Sequence, residues 1–468
     1  MPHRDAQKTV KTALPAPFAV SSCYSSSPLA IWVFIFMQFE GAMGSRGLRS
    51  FVSRALAIGA VTLIVVNSAW AANKEKVLYR FTGGTDGGDP AAGLIFDKAG
   101  NLYGTTVVGG TGAACSGGCG TVFELTKNSS GKWTETVLYN FQAGSDGKNP
   151  YGGVTIDAKG DLYGTTVSGG NGGTCSGDGC GTIYKLTRAG NVWSESVLYS
   201  FTGGKDGAGP GGGVVFDKKG NLYGTTPDGG EANGCGGIGC GVVYELMPSG
   251  GGWRQKVIHT FTGGNDGATG SLGLLLIDKH GDLFGLAESG GAHGAGTAFE
   301  LSSVSSGKWK MSTLDGFKGT PHAGFPYGGL TADASGNLYG TTYYGGANGL
   351  GSVFKLTRGS NGKWSESVLY SFKSGTDGNS PTSTLVFDAH GSLYGTTSAG
   401  GDANGDGTVF KLTPASGGKW GESVVYRFKN DPDGANPYYG LVLDKAGNLY
   451  GTTAIGGVGS GVVFELAP

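Results

Sequence analysis

The chain contains no apolar run long enough to cross a bilayer. Ala55–Val66 is the candidate, and its 12 residues fall short of the roughly 20 that a membrane helix needs. No segment repeats its apolar residues at a helical period, which argues against a helical bundle. Lys and Arg number 34 against 35 Asp and Glu, a net charge of −1, so there is no basic footprint for nucleic acid. Glycine shows no triplet period of the collagen type. G-x-S-x-G, H-E-x-x-H and P-loop signatures are all missing, which removes the commonest local marks of a hydrolase, a zinc protease and a nucleotide site.

What the chain has in excess is glycine, 95 of 468 residues, about three times ordinary usage. These glycines recur at fixed places. The pattern L-[YF]-G appears at Leu102, Leu162, Leu222, Leu283, Leu338, Leu393 and Leu449, at steps of 60, 60, 61, 55, 55 and 56 residues. A period of that size marks a repeat architecture. In the second copy, Gly153–Asp157, Asp161–Thr166, Thr182–Thr187 and Trp193–Phe201 read as four β-branched and aromatic strands separated by Gly, Asn and Asp turns. Four antiparallel strands per repeat make a propeller blade. The phase of the repeat predicts how the ring closes. The chain enters on a fourth-type strand, residues 77–81, and leaves on a third-type strand, Gly461–Leu466. The spare strand completes the last blade. The expectation is an all-β, seven-bladed β-propeller with no open sheet ends.

Residues 1–71 differ in composition. Arg46, Arg49 and Arg54 precede the run Ala55–Val66, and Ala69-Trp70-Ala71 follows. A basic segment, an apolar segment and an A-x-A site form a secretory signal peptide. Met43 is then the expected start, with 1–42 a mis-called extension and 72–468 the exported propeller. Residues 72–468 carry 28 Lys/Arg and 33 Asp/Glu, net −5. That fits a soluble secreted or periplasmic protein, expected to be a monomer with no membrane span after cleavage.

The run D-x-x-G-N-L-Y-G-T-T-x-x-G-G, then G-[TS]-V-[FY]-[EK]-L, then W-x-E-S-V-L-Y-x-F, resembles the GloVer tandem repeat of bacterial "choice-of-anchor" surface proteins. The resemblance covers about residues 74–468. It implies export, brings no established activity and carries no catalytic residue. Many members end in a sorting anchor. This sequence stops two residues after its last strand, which favours a free form. The first two strands also look like those of NHL-type and gluconolactonase-type propellers, a fold-level similarity only.

Cys23 lies in the expected leader. Cys115/Cys119, Cys175/Cys180 and Cys235/Cys240 form three close pairs, each in the loop between the second and third strands. In an exported protein such pairs read as disulfides. Zinc is the rival, but no His recurs beside them. The repeated turn aspartates, Asp97 and its six counterparts, read as turn residues rather than calcium ligands.

Two kinds of candidate site remain. The loops joining one repeat to the next carry Asp86, Asp146, Asp206, Asp266, Asp377 and Asp433 in G-G-x-D-G, and they share a face with the cysteine loops. Long loops on a rigid scaffold are the usual place for binding, so this face is the candidate contact surface for a glycan or protein partner. Departures from the repeat are the other signal. Glu288, His293 and His322 stand where the fourth repeat breaks its pattern, and a Glu/His cluster can do acid–base work. That supports the alternative of a lyase or hydrolase on carbohydrate or lactone. Asp402, Asn404 and Asp406 match the first half of a calcium loop, but Thr413 occupies the place of its closing Glu. No other cofactor is expected.

Overall fold

In a computed structural model the chain divides at residues 72/73. The structure describes residues 74–467, other than 174, 176, 231–234, 271, 272, 305, 306 and 458. The leader, the Met43 start and Cys23 lie outside the described residues. Among the described residues there is no α-helix, and no helix long and apolar enough to cross a membrane.

The strands form seven antiparallel sheets, one per repeat, each taking consecutive strands in order: four in blades 1 to 3, and five in blades 4 to 6, where the innermost strand is in two pieces. The exception closes the ring. Lys74–Arg80 pairs with Val462–Ala467 at the far end of the chain, running from Lys74 opposite Ala467 to Arg80 opposite Val462, with a bulge between Val77 and Tyr79. The seventh blade is therefore built from both ends, as the phase of the repeat predicts.

The innermost strand is shorter than the sequence suggests. Where Gly153–Asp157 reads as a strand, only Thr155–Ile156 joins the ladder. The other half of that edge is supplied upstream by the incoming loop, where Lys148 bridges Ser168. In blades 4, 5 and 6 this upstream piece is a short strand of its own: Ala268–Gly270, Ala323–Pro326 and Asn379–Pro381. Between the two halves the chain crosses the axis as a P-x-G-G-type segment. There the backbones of successive blades come so close that a Cβ on Gly153 would lie 2.9 Å from the Gly93 carbonyl oxygen, and one on Gly213 2.8 Å from that of Gly153.

The core sits between blades rather than within them. The last aromatic of each fourth strand packs edge-to-face on the third-strand aromatic of the next blade. The pairs are Phe81–Phe123, Phe141–Tyr184, Phe201–Tyr244, Phe261–Phe299, Phe317–Phe354, Phe372–Phe410 and Phe428–Phe464. Their centroids lie 5.0–5.4 Å apart. Phe81–Phe123 is the closing pair. All fourteen rings are buried, and edge-to-face contact adds to their burial energy. This explains the glycine of L-[YF]-G: a Cβ on Gly104 would sit 2.6 Å from Cζ of Phe123. The tryptophans are part of the same scheme nearer the rim. Trp133, Trp253, Trp309, Trp364 and Trp420 each pack on the Tyr or Phe of L-[YF]-G in the preceding blade, at 5.7–6.5 Å.

A polar ring reinforces the aromatic one. A backbone N–H beside each axial segment donates to a carbonyl of the preceding blade: Asp89 to Ser460, Asn149 to Cys119, Gly209 to Cys180, Thr269 to Cys240, Phe325 to Ala295, Ser380 to Leu350 and Asn436 to Asp406, at 2.7–3.0 Å. The first Thr of L-Y-G-T-T adds a second staple. Thr105 donates to the Gly152 carbonyl at 3.2 Å, Thr165 to Gly212 at 2.9 Å and Thr452 to Ala92 at 3.0 Å. The three cysteine pairs are disulfides, with Cα atoms 5.2–5.3 Å apart. Cys119, Cys180 and Cys240 carry three of the accepting carbonyls, so each bridge holds the loop that receives the next blade.

If the inter-blade aromatic ring carries the stability, Phe261→Ala should cost about 3–5 kcal/mol. Chemical denaturation followed by circular dichroism measures this. A substitution at exposed Val192, on the rim, should cost under about 0.5 kcal/mol.

Candidate functional site

The six incoming-loop aspartates serve their own loops. Asp86 accepts from the Thr82 N–H at 2.9 Å and from the Tyr79 hydroxyl at 3.1 Å. The same pair of bonds recurs at Asp146 with Gln142 and Tyr139, and at Asp206 with Thr202 and Tyr199. At Asp266 the aromatic partner is His259, 3.1 Å away, and at Asp377 it is Tyr370, 2.7 Å away. Asp433 receives Tyr426. The turn aspartates behave likewise: one oxygen of Asp97 accepts the N–H groups of Ala99 and Asn101 at 2.8 and 2.9 Å. Asp402 accepts from Asn404 and Gly405 in the same manner. Asp406 is buried, with one oxygen unpartnered. Among the described residues no group of three or more His, Cys, Asp or Glu is placed to hold a metal.

The fourth-repeat candidates divide into two places. His293 and His322 are exposed beside Asp315, whose carboxyl burial raises against the lowering effect of Lys318 and both histidines. Here Asp315 takes the place of the strand Tyr and His322 that of the loop Asp, so the usual Tyr–Asp hydrogen bond is absent, and one Asp315 oxygen has no hydrogen-bond partner. Glu288 lies instead on the second strand of that repeat, Leu283–Ser289, within electrostatic reach of Tyr327.

The axis on the loop-rich face holds a cluster that the sequence reading did not single out. After the axial proline, three blades carry tyrosine: Tyr151, Tyr327 and the pair Tyr438-Tyr439. Two others have Ala91 and Thr382 at that place. Tyr327 is within electrostatic reach of Glu288, Tyr151, Tyr438 and Tyr343, and Tyr439 of Tyr327, Tyr151, Asp89 and Tyr438. Tyr327 and Tyr343 rings lie 6.2 Å apart, and Tyr344 stacks edge-on against Tyr343 at 4.6 Å. A void of about 20 Å³ lies under Tyr327 and Tyr439, bordered by Thr382 and Thr384. The backbone beneath is fixed: Thr382 donates to the Tyr438 carbonyl at 2.6 Å and Thr396 to that of Tyr439 at 3.3 Å.

Burial sets the electrostatics. It pushes the Tyr327 phenol up to about 12 and raises Tyr151, Tyr438 and Tyr439, with the neighbouring acids and phenols adding to it. These phenols are neutral donors at ordinary pH. Burial also raises Glu288, and takes Asp89 to about 6. The backbone here is strained. Asp89, Asn149, Thr269, Phe325, Ser380 and Asn436 occupy one equivalent position at φ between +52° and +57°. For Thr and Phe such a conformation is a genuine outlier, of a kind that clusters at functional sites.

The model of one repeat family matches residues 62–233, 115–310, 173–365 and 276–468, together most of the chain. The chain belongs to the Gloeobacter/Verrucomicrobia repeat family. No protein of curated function matches it. Among solved structures, a Thermus thermophilus protein named as an oxidoreductase (glucose dehydrogenase) matches with 16% identity and a TM-score of 0.40. The match covers 75% of this chain and 98% of that one.

A second departure from ordinary titration is spread around the ring. Glu75, Glu135, Glu195, Glu366 and Glu422 occupy one equivalent place on the outer strands. Burial raises all five, to about 7 at Glu75, Glu135 and Glu195, and a neighbouring aspartate raises each further. A folded pKa above the unfolded value of 4.5 means that the folded state binds the proton more tightly. That stability is complete below about 4.5 and is lost as pH rises through about 7. The turn carboxyls Asp333, Asp388 and Asp444 are lowered by their hydrogen bonds, against burial. Their contribution is present above 3.8 and lost on acidification below it. The thermal midpoint should therefore fall between about pH 5 and pH 8. A Glu75, Glu135, Glu195→Gln triple variant should flatten that fall in a differential scanning calorimetry series.

Proposed function

We propose that the protein is an exported binding module that holds a carbohydrate on the axial tyrosine cluster. One observation carries the reading: four tyrosines from three blades come within electrostatic reach of one another and of Glu288 and Asp89, where the other four blades place Ala, Gly, Ser or Thr. The ring framework repeats from blade to blade, and these side chains depart from it. Neutral phenols offer flat apolar faces together with hydroxyl donors. That combination suits a sugar ring, which presents C–H on its faces and hydroxyls on its edge. The acids supply acceptors. Tyrosine gives this contact area at small entropic cost, having few rotatable bonds. The three disulfides fit an oxidising compartment, outside the cytoplasm.

Glu288 favours a second reading, a glycan-cleaving enzyme. A carboxyl whose hold on its proton burial strengthens, within electrostatic reach of a phenol, is suited to act as a general acid. In that reading Glu288→Gln abolishes turnover while binding persists.

The test is thermal unfolding of residues 72–468 with a panel of neutral soluble polysaccharides, since a ligand of the folded state raises the midpoint by mass action. One polysaccharide class should raise it, and Tyr327→Ala and Tyr439→Ala should each remove the shift without abolishing cooperative unfolding. A panel with no effect, or tyrosine variants that respond as the parent does, would overturn the reading.

A further inference from the structure

The opposite face, made of the hairpin turns, carries a different symmetry break. The fourth strands open W-[ST]-E-[ST] in blades 1, 2 and 5. In blade 3 the sequence is Trp253-Arg254-Gln255-Lys256. Arg254 and Lys256 line a groove of about 990 Å³ between blades 3 and 4. Its floor is aromatic, with Trp309 packed edge-on to Tyr223 at 5.7 Å and Phe216 beside them. Its rim adds Lys218, Lys219, Lys279 and His280 from two neighbouring hairpins.

The groove's three carboxylates are already occupied. Asp217 takes the Lys219 and Asn221 N–H groups at 2.7 and 2.9 Å, and Asp278 those of His280 and Asp282 at 2.8 and 3.0 Å. Glu245 accepts the Tyr223 hydroxyl at 3.0 Å and meets the Lys256 ammonium at 3.9 Å. Lys256 also donates to the Gly307 carbonyl at 2.5 Å, which holds it across the groove. Lys219, Arg254 and Lys279 form no ion pair among the described residues.

The molecule contains its own comparison. The groove between blades 7 and 1, about 690 Å³, repeats the Trp–Tyr contact in Trp133 and Tyr450, with Leu443 at the place of Phe216 and Phe96 at that of Ile277. There the fourth strand of blade 7 carries Lys74 and Lys76 at the places of Arg254 and Lys256, whereas blades 1, 2 and 5 have Ser or Thr at both. The framework makes the aromatic trough, and the fourth strand sets its charge: basic in blades 3 and 7, hydroxyl-bearing in blades 1, 2 and 5, with arginine at that place in blade 3 alone.

We propose that the blade 3–4 groove is a binding site for an acidic polysaccharide, bearing carboxylate or sulfate groups along the chain. Aromatic residues on the floor suit the apolar faces of sugar rings. Guanidinium and ammonium groups above them pair with the regularly spaced anions, Arg254 in bidentate fashion. This site is on the other face from the tyrosine cluster and does not depend on it.

The experiment is calorimetric titration of residues 72–468 with polygalacturonate, dextran sulfate, neutral dextran and a single-stranded oligonucleotide, at low and high salt. Polygalacturonate or dextran sulfate should bind, weaken with salt, and bind about ten-fold less tightly to Arg254→Ser/Lys256→Ser, a loss of about 1.4 kcal/mol. Lys219→Ser/Lys279→Ser, confined to exposed turns, should weaken binding too and stands in if the first variant unfolds. Tyr327→Ala should leave it unchanged. Which acidic polymer binds distinguishes the carboxylate from the sulfate source. Equal binding by parent and both serine variants would overturn the proposal. So would loss with Tyr327→Ala instead, binding of the oligonucleotide alone, or no binding by either acidic polymer.

Discussion

The seven edge-to-face pairs between blades are the contact on which the rest of this structure depends. A single blade of four short strands has no core of its own; its apolar face is completed only by its neighbour. Each buried cluster accordingly draws on two adjacent blades, from Phe81, Phe123 and Tyr450 at the closing junction to Phe372, Phe410 and Tyr339 between blades 5 and 6. Stability therefore passes around a circle, and the circle exists only because Phe81 reaches Phe123. The backbone staples to the axial segments follow the same circle. Ser460 and Asp89 make the closing bond there, at the junction where the two ends of the chain meet.

A framework defined by pairs between neighbours leaves two regions chemically free. One is the residue after each axial proline, which the ring holds by its backbone while its side chain varies from blade to blade. The other is the trough between adjacent hairpins, whose floor is required and whose rim is not. Two of the breaks in symmetry fall in these regions: the tyrosines with Glu288 near the axis, and Arg254 with Lys256 in the trough. The incoming-loop aspartates are not free in this sense. Their carboxylates satisfy N–H groups that a tight loop would otherwise leave open.

Much of the architecture was legible because it repeats. The L-[YF]-G period marks the blades, and the mismatch between first and last strand marks the closure, now seen as Lys74–Arg80 against Val462–Ala467. The cysteine spacing marks the disulfides. The inner strand was read too long because β-branched residues extend beyond the ladder, while the Pro and Gly before them turn the chain across the axis. The site was harder to see. Tyr151, Tyr327, Tyr438 and Tyr439 are far apart in sequence and sit among loop residues, where a single tyrosine looks like drift. Only the ring brings them together. Glu288 was visible as a departure, but its companions are tyrosines; His293 and His322 belong with Asp315, a grouping that a one-dimensional reading cannot place.

The central claim is that the ring is closed and cooperative, with the N-terminal strand as much a part of it as any other. Native-state amide hydrogen exchange measures this directly. Amides of Lys74–Arg80 that pair with Val462–Ala467 should open with the same free energy as those of Val242–Ser249 in blade 3, to within about 1 kcal/mol. Rapid exchange along Lys74–Arg80 while blade 3 stays protected would show an open array with a frayed end, and would contradict the account.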